Sequence, residues 1–127
     1  EGGRERLLQV LRERGATVIE IAVYRRLQPA ADAQALRQLQ DLLGADALQV
    51  ISATSLELAL NLLDMLPQSL REAALRLAWL VPSERIVAAM QERGLNCQFV
   101  RAASAEDHDL VDALAVWWRG AKAEHGY

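Results

Sequence analysis

Two hydrophobic periods alternate along the chain. Leu7, Leu8 and Leu11 recur at helical spacing, and Gly15 follows as the residue best able to take a left-handed cap position. Thr17 to Tyr24 is rich in β-branched residues and predicts a strand. Arg25 to Ala31, containing Pro29, predicts a turn or linker. From Asp32, the positions Leu36, Leu39 and Leu43 mark an amphipathic helix that ends at Gly44. Ala47 to Ile51 is a short run without polar alternation, as expected of a strand covered on both faces. A helix from Thr54 to Leu66 is apolar nearly all round, which predicts burial, and Pro67 ends it. Ser69 to Arg76 suggests one or two further helical turns. Leu77 to Val81 predicts a third strand, and Pro82-Ser83 opens a helix carrying Ile86, Val87 and Met90 up to Gly94. Asn96 to Val100 predicts a fourth strand. The last helix spans Ala105 to Arg119, with Leu110, Leu114 and Trp117 on one face, and Ala121 to Tyr127 reads as a frayed tail.

Strands of about five residues between helices of about 10 to 15 predict right-handed crossovers and a parallel sheet, hence an α/β fold with helices layered on a sheet. Leu11-Arg12-Glu13-Arg14-Gly15 is echoed by Met90-Gln91-Glu92-Arg93-Gly94. A duplicated βα unit and a shared helix-ending signal both account for that echo. At the start, Glu1-Gly2-Gly3-Arg4 reads as a glycine turn feeding a helix, yet such a turn should leave the carboxyl end of a strand. The expectation is therefore a chain that begins one strand late, as the back half of a larger protein.

Composition narrows the core and the partners. The 127 residues are 52% apolar but only 5% aromatic, so the core must be built from Leu, Ala, Val and Ile. The net charge of −3, with both signs interspersed and no basic block, argues against a nucleic-acid partner. Cys97 is the sole cysteine and lies in an apolar run, which excludes an intrachain disulfide framework. No stretch reaches the roughly 18 apolar residues of a membrane span. No signal peptide opens the chain, so the expected compartment is the cytoplasm.

Candidate chemistry concentrates in the turns between strands and helices. In an open parallel sheet, ligands bind beyond the carboxyl ends of the strands, where helix N-termini present unpaired N–H groups that suit carboxylates and phosphates. Three turns qualify: Gly2-Gly3-Arg4, Ser52-Ala53-Thr54-Ser55 and Pro82-Ser83-Glu84-Arg85. Ser52, Thr54 or Ser55, and likewise Ser83, also have the plain role of helix N-caps. His108 and His125 are far apart and lack ligand-spaced partners, so no metal site is expected. Asp107 and Asp109 flanking His108 fit an acidic helix start. No Walker loop, nucleophile elbow or Cys/His pairing occurs. Trp117-Trp118 reads as packing beside an amphipathic surface residue. Tyr24 ends a strand and is followed by two arginines, so its hydroxyl either faces the ligand side or snorkels from the core edge.

In combination these residues resemble the uroporphyrinogen-III synthase family. Gly2-Gly3-Arg4-Glu5, then Leu11 to Gly15, then Val23-Tyr24-Arg25-Arg26, is similar to its G-G-R-E…L…R-G-A-x-V…Y-x-R run. Ser52 to Ser55 falls where the family has a Ser/Thr-rich turn, and Pro82-Ser83 to Gly94-Leu95 where it has a G-P-x-T-A…G-like stretch. The likeness spans about Glu1 to Trp118. Val81 stands where the family often has Gly, and Ser83 where Thr is usual, so the hydroxyl is kept but the closest loop approach is altered.

The resemblance implies a three-layer α/β/α, flavodoxin-like fold within a two-domain duplicated architecture. Residues 1–28 would be a helix–strand segment of the companion domain plus the linker. Residues 29–127 would form a flavodoxin-like domain lacking its first strand–helix unit. It further implies a cytoplasmic, monomeric lyase of haem and tetrapyrrole biosynthesis. Such an enzyme closes hydroxymethylbilane, a linear tetrapyrrole with many carboxylates, to uroporphyrinogen III with inversion of ring D. It uses no cofactor and no metal, and hand-over from hydroxymethylbilane synthase is an expected partner interaction. The same resemblance assigns Tyr24 as the weak general acid and Gly3, Arg4, Ser52, Thr54, Ser55 and Ser83 as substrate-binding residues. A chain holding one wall of the cleft would be inactive alone. A flavodoxin-like or receiver-like binding module is disfavoured: the strand ends carry Tyr24, Ser52, Pro82 and Arg101, none of them a phosphoacceptor Asp, and no phosphate loop follows a first strand. A degenerate synthase half serving as a structural partner is the remaining alternative.

Overall fold

The computed structural model describes residues 2–18 and 33–125. Among them the order is α1 (Gly2–Glu13), α2 (Ala33–Gly44), β1 (Val50–Ser52), α3 (Leu56–Met65), α4 (Gln68–Leu75), β2 (Ala78–Val81), α5 (Glu84–Glu92), β3 (Gln98–Arg101) and α6 (Asp107–His125). The three strands form one sheet in the order β1-β2-β3, with both pairings parallel. Thr17 and Val18 are irregular. The rest of the strand predicted to Tyr24, the turn through Pro29 and the helix start at Asp32 lie outside the described residues.

β2 is buried along its whole length, and its alternation sorts the core into two layers. Trp79 and Val81 project with Ile51 and Phe99 into the larger cluster, where Leu39, Leu62, Leu63, Ile86, Val87 and Met90 from α2, α3 and α5 meet them. Leu80 projects the opposite way, with Val50 and Val100, onto Leu110 and Leu114 of α6. The sheet is thus covered on both faces, which is why its strands carry no polar alternation. Trp79 is fully buried, and its Nε1–H donates to the Ala74 carbonyl at 3.0 Å, so the ring packs without an unsatisfied polar atom.

The helix ends follow local chemistry. α1 and α5 stop in the same way. The Ala16 and Leu95 amides donate to the Leu11 and Met90 carbonyls, the Gly15 and Gly94 amides to Arg12 and Gln91, and both glycines adopt positive φ, +92° and +79°. This shared cap accounts for the echoed pentapeptide. α2 uses the same wiring, from Ala47 to Leu42 and Asp46 to Leu43, but the left-handed residue is Asp46 at φ 57°, not Gly44. α3 is closed by Arg71, whose guanidinium donates to the Leu63 and Leu66 carbonyls.

Two expectations are corrected. Gly2, Gly3 and Arg4 belong to the first turn of α1, not to a loop ahead of it. The segment read as a frayed tail is helical as far as His125, and Ala121 is buried. Gly120 disfavours helix by about 1 kcal/mol relative to Ala. Good helix formers on both sides and the burial of Ala121 outweigh it. α1 packs against α6.

Candidate functional site

Because the strands are parallel, their carboxyl ends share one rim, and α3, α5 and α6 begin there. Ser52 is the last residue of β1, level with Leu80, and is exposed. The ladder runs on through the Ala53 amide, which donates to the Leu80 carbonyl at 3.0 Å, and the Ala102 amide, which donates to the Val81 carbonyl at 2.8 Å. These bonds fix the loop bases against β2, so the turns beyond them leave from a rigid platform.

Each of the first two turns ends in a serine cap. Ser55 Oγ accepts the Leu58 amide at 3.1 Å, and Ser83 Oγ accepts the Ile86 amide at 3.3 Å. Of the three candidates in the first turn, Ser55 therefore holds the cap, while Thr54 lies half-buried beside it and Ser52 stands free of that role. A cap hydroxyl satisfies one of the four amides a helix start leaves over, so capping and anion binding are compatible uses of the same turn. Pro82 is buried and Ser83 half-buried, which seats the α5 start close against the sheet.

The third helix start has a different character. Ser104 Oγ accepts the Glu106 amide at 3.0 Å and donates to Asp109 Oδ2 at 2.7 Å. His108 contacts Glu106 Oε1 and Asp109 Oδ1, and Asp107 adds a further carboxylate. Carboxylates suit the positive end of a helix, so this turn is already supplied with negative charge. The rim is thus graded: Glu57 and Glu84 put one carboxylate in the first turns of α3 and α5, while Glu106, Asp107 and Asp109 gather three at the start of α6.

The structure brings Ser52, Thr54, Ser55 and Ser83 to this rim. Gly3 and Arg4 lie in α1, which follows no described strand, and Tyr24 is outside the described residues. One rim residue was not among the sequence candidates. Arg101 ends β3 opposite Val81, and its Nε lies 3.5 Å from Glu84 Oε1 at the start of α5. In sequence Arg101 is only the polar residue that closes a strand. Its neighbour is set by sheet register, which no spacing rule in one sequence announces.

Among the described residues no group of His, Cys, Asp and Glu is arranged to hold a metal ion. No helix among them is long and apolar enough to cross a membrane. Burial raises the pKa of Cys97 above its ordinary value, with a backbone hydrogen bond opposing in part, so this thiol is a poor nucleophile near neutral pH.

Comparison with curated proteins and with solved structures gives no match. The sequence model of one family, described as uroporphyrinogen-III synthase HemD, matches residues 1–115. That span takes in the predicted strand to Tyr24, both serine-capped turns and the full sheet, so the chain belongs to the uroporphyrinogen-III synthase family.

Proposed function

We propose that the protein is a uroporphyrinogen-III synthase of haem biosynthesis, a lyase that cyclises hydroxymethylbilane to uroporphyrinogen III with inversion of ring D. The observation that carries this reading is the serine-capped rim at the carboxyl ends of a parallel sheet, in a chain that belongs to this family. In this reading residues 29–127 form one flavodoxin-like wall of an inter-domain cleft, and residues 1–28 belong to the companion domain and linker.

The chemistry is chiefly a matter of position. Loss of the ring A hydroxyl leaves an electrophilic azafulvene. Ring D attacks it through its substituted carbon, and the resulting spiro intermediate fragments and recloses with ring D inverted. The competing direct closure needs no catalyst, so the protein must hold a flexible polycarboxylate in the inverting geometry. Backbone amides at the starts of α3 and α5, behind Thr54, Ser55 and Ser83, together with the Ser52 hydroxyl and the amides of the first turn of α1 at Gly3 and Arg4, serve as carboxylate donors. Tyr24 protonates the departing hydroxyl or orients it. No cofactor or metal enters these steps. The protein acts as a cytoplasmic monomer and receives its unstable substrate from hydroxymethylbilane synthase.

The test gives hydroxymethylbilane to the longest natural form of the protein and separates the product isomers. Isomer III is expected. A product consisting only of isomer I, which forms spontaneously, would falsify the assignment.

A further inference from the structure

We propose that Arg101 binds a carboxylate of the substrate, and that Glu84 is the internal stand-in which this carboxylate displaces. The proposal rests on the synthase reading and adds a residue that neither the family motifs nor the caps supply. Register places Arg101 level with Val81, immediately before the Pro82-Ser83 turn. Its partner is held loosely: one nitrogen faces one oxygen at 3.5 Å, with the two side chains 57% and 73% exposed. A guanidinium can offer a carboxylate two parallel N–H donors, and among the described residues no hydrogen bond engages the terminal nitrogens of Arg101. A pair this exposed contributes little to the fold, so exchanging one carboxylate for another carries little penalty.

The surroundings say what the exchange would do. Among the strand ends and the first helical turns that follow them, the arginine and lysine side chains are those of Arg85 and Arg101. Beyond Arg101 the rim turns acidic at Glu106, Asp107 and Asp109. Arg101 therefore stands between the most acidic helix start, that of α6, and the serine-capped turns of α3 and α5, whose first turns carry one carboxylate each, Glu57 and Glu84. A carboxylate anchored there directs the rest of a polyanion toward Ser83 and Ser52. For a reaction whose outcome depends on the pose of a flexible chain, such an anchor selects the register of binding.

The experiment compares the longest natural form with its Arg101→Gln, Arg101→Lys and Glu84→Gln variants, measuring KM and kcat for hydroxymethylbilane and thermal melting. Arg101→Gln should raise KM about tenfold, the scale of one charged hydrogen-bonding contact, with kcat changed less than about twofold. Arg101→Lys should recover part of the loss, and Glu84→Gln should lower KM by removing the competitor. An unchanged KM in Arg101→Gln with unchanged melting overturns the proposal. If Arg101→Gln fails to fold, Glu84→Gln decides: a KM equal to or above that of the parent overturns it. Binding of uroporphyrin, a stable polycarboxylate macrocycle, is measured in parallel by fluorescence. If the parent forms only isomer I, the synthase reading fails, and the Arg101 proposal then stands or falls on whether Arg101→Gln weakens uroporphyrin binding.

Discussion

Ser83 does two things that separate under mutation. As a cap it satisfies the Ile86 amide, and Ser83→Ala should cost about 1 kcal/mol in urea unfolding. As a proposed donor it should also raise KM, whereas Ser83→Thr, which restores the family's usual residue, should keep both functions. A Ser83→Ala variant with unaltered urea midpoint would show that the Ile86 bond contributes nothing. Cys97 gives a pH signature. Burial favours its neutral thiol, so the folded pKa lies above the unfolded one near 9.0. The stabilisation is complete below pH 9.0 and is lost as pH rises through the folded value, because the unfolded thiol ionises first. Cys97→Ala should therefore flatten the alkaline limb of the stability profile, and parallel limbs would contradict this. At this scale the sequence was partly legible. Serine and threonine in a turn before an apolar run signal a cap, but the choice of Ser55 over Ser52 and Thr54 depends on where β1 stops. That boundary is set by pairing with β2.

Helix ends show which local rules survive tertiary packing. Gly94 sits at φ +79°, a conformation that costs other residues steric energy, so Gly94→Ala should destabilise by about 1–2 kcal/mol. Gly120 lies inside α6, and an added Cβ there meets no atom within 4 Å, so Gly120→Ala should stabilise by about 0.5–1 kcal/mol. Melting of the two variants in opposite directions is the check, and shifts of the same sign would refute the distinction between a cap glycine and a helix-interior one. α4 showed only as a turn or two, whereas the helical type of α1, α2, α5 and α6 was readable from apolar spacing, and the two glycine stops from their place just after the last apolar positions. The extension of α6 to His125 was not, since Gly120 carries a local stop signal while the burial of Ala121 is a property of the assembled fold. Closure of α3 by Arg71 was hidden for the same reason: the contact spans the Pro67 turn and depends on how α4 folds back.

The whole molecule rests on β2, whose residues alternate between two helix layers. Trp79→Phe removes buried volume and the bond to the Ala74 carbonyl together, and should cost about 2–3 kcal/mol of unfolding free energy. A loss under about 0.5 kcal/mol would mean that the site collapses around the smaller ring. The α/β class and parallel sheet were legible because short apolar strands alternated with helices. The asymmetry of the rim was not, because it depends on which strand ends become neighbours. Parallel strands also divide the surface by tolerance to change. The serine-capped turns leave the carboxyl ends, while the left-handed turns at Asp46 and Gly94 lead into the amino ends on the opposite rim. Length variation can accumulate around Gly94 without disturbing Ser55 or Ser83, so the fold holds the serine-capped rim fixed and leaves the other free for insertions, tags or new chain termini.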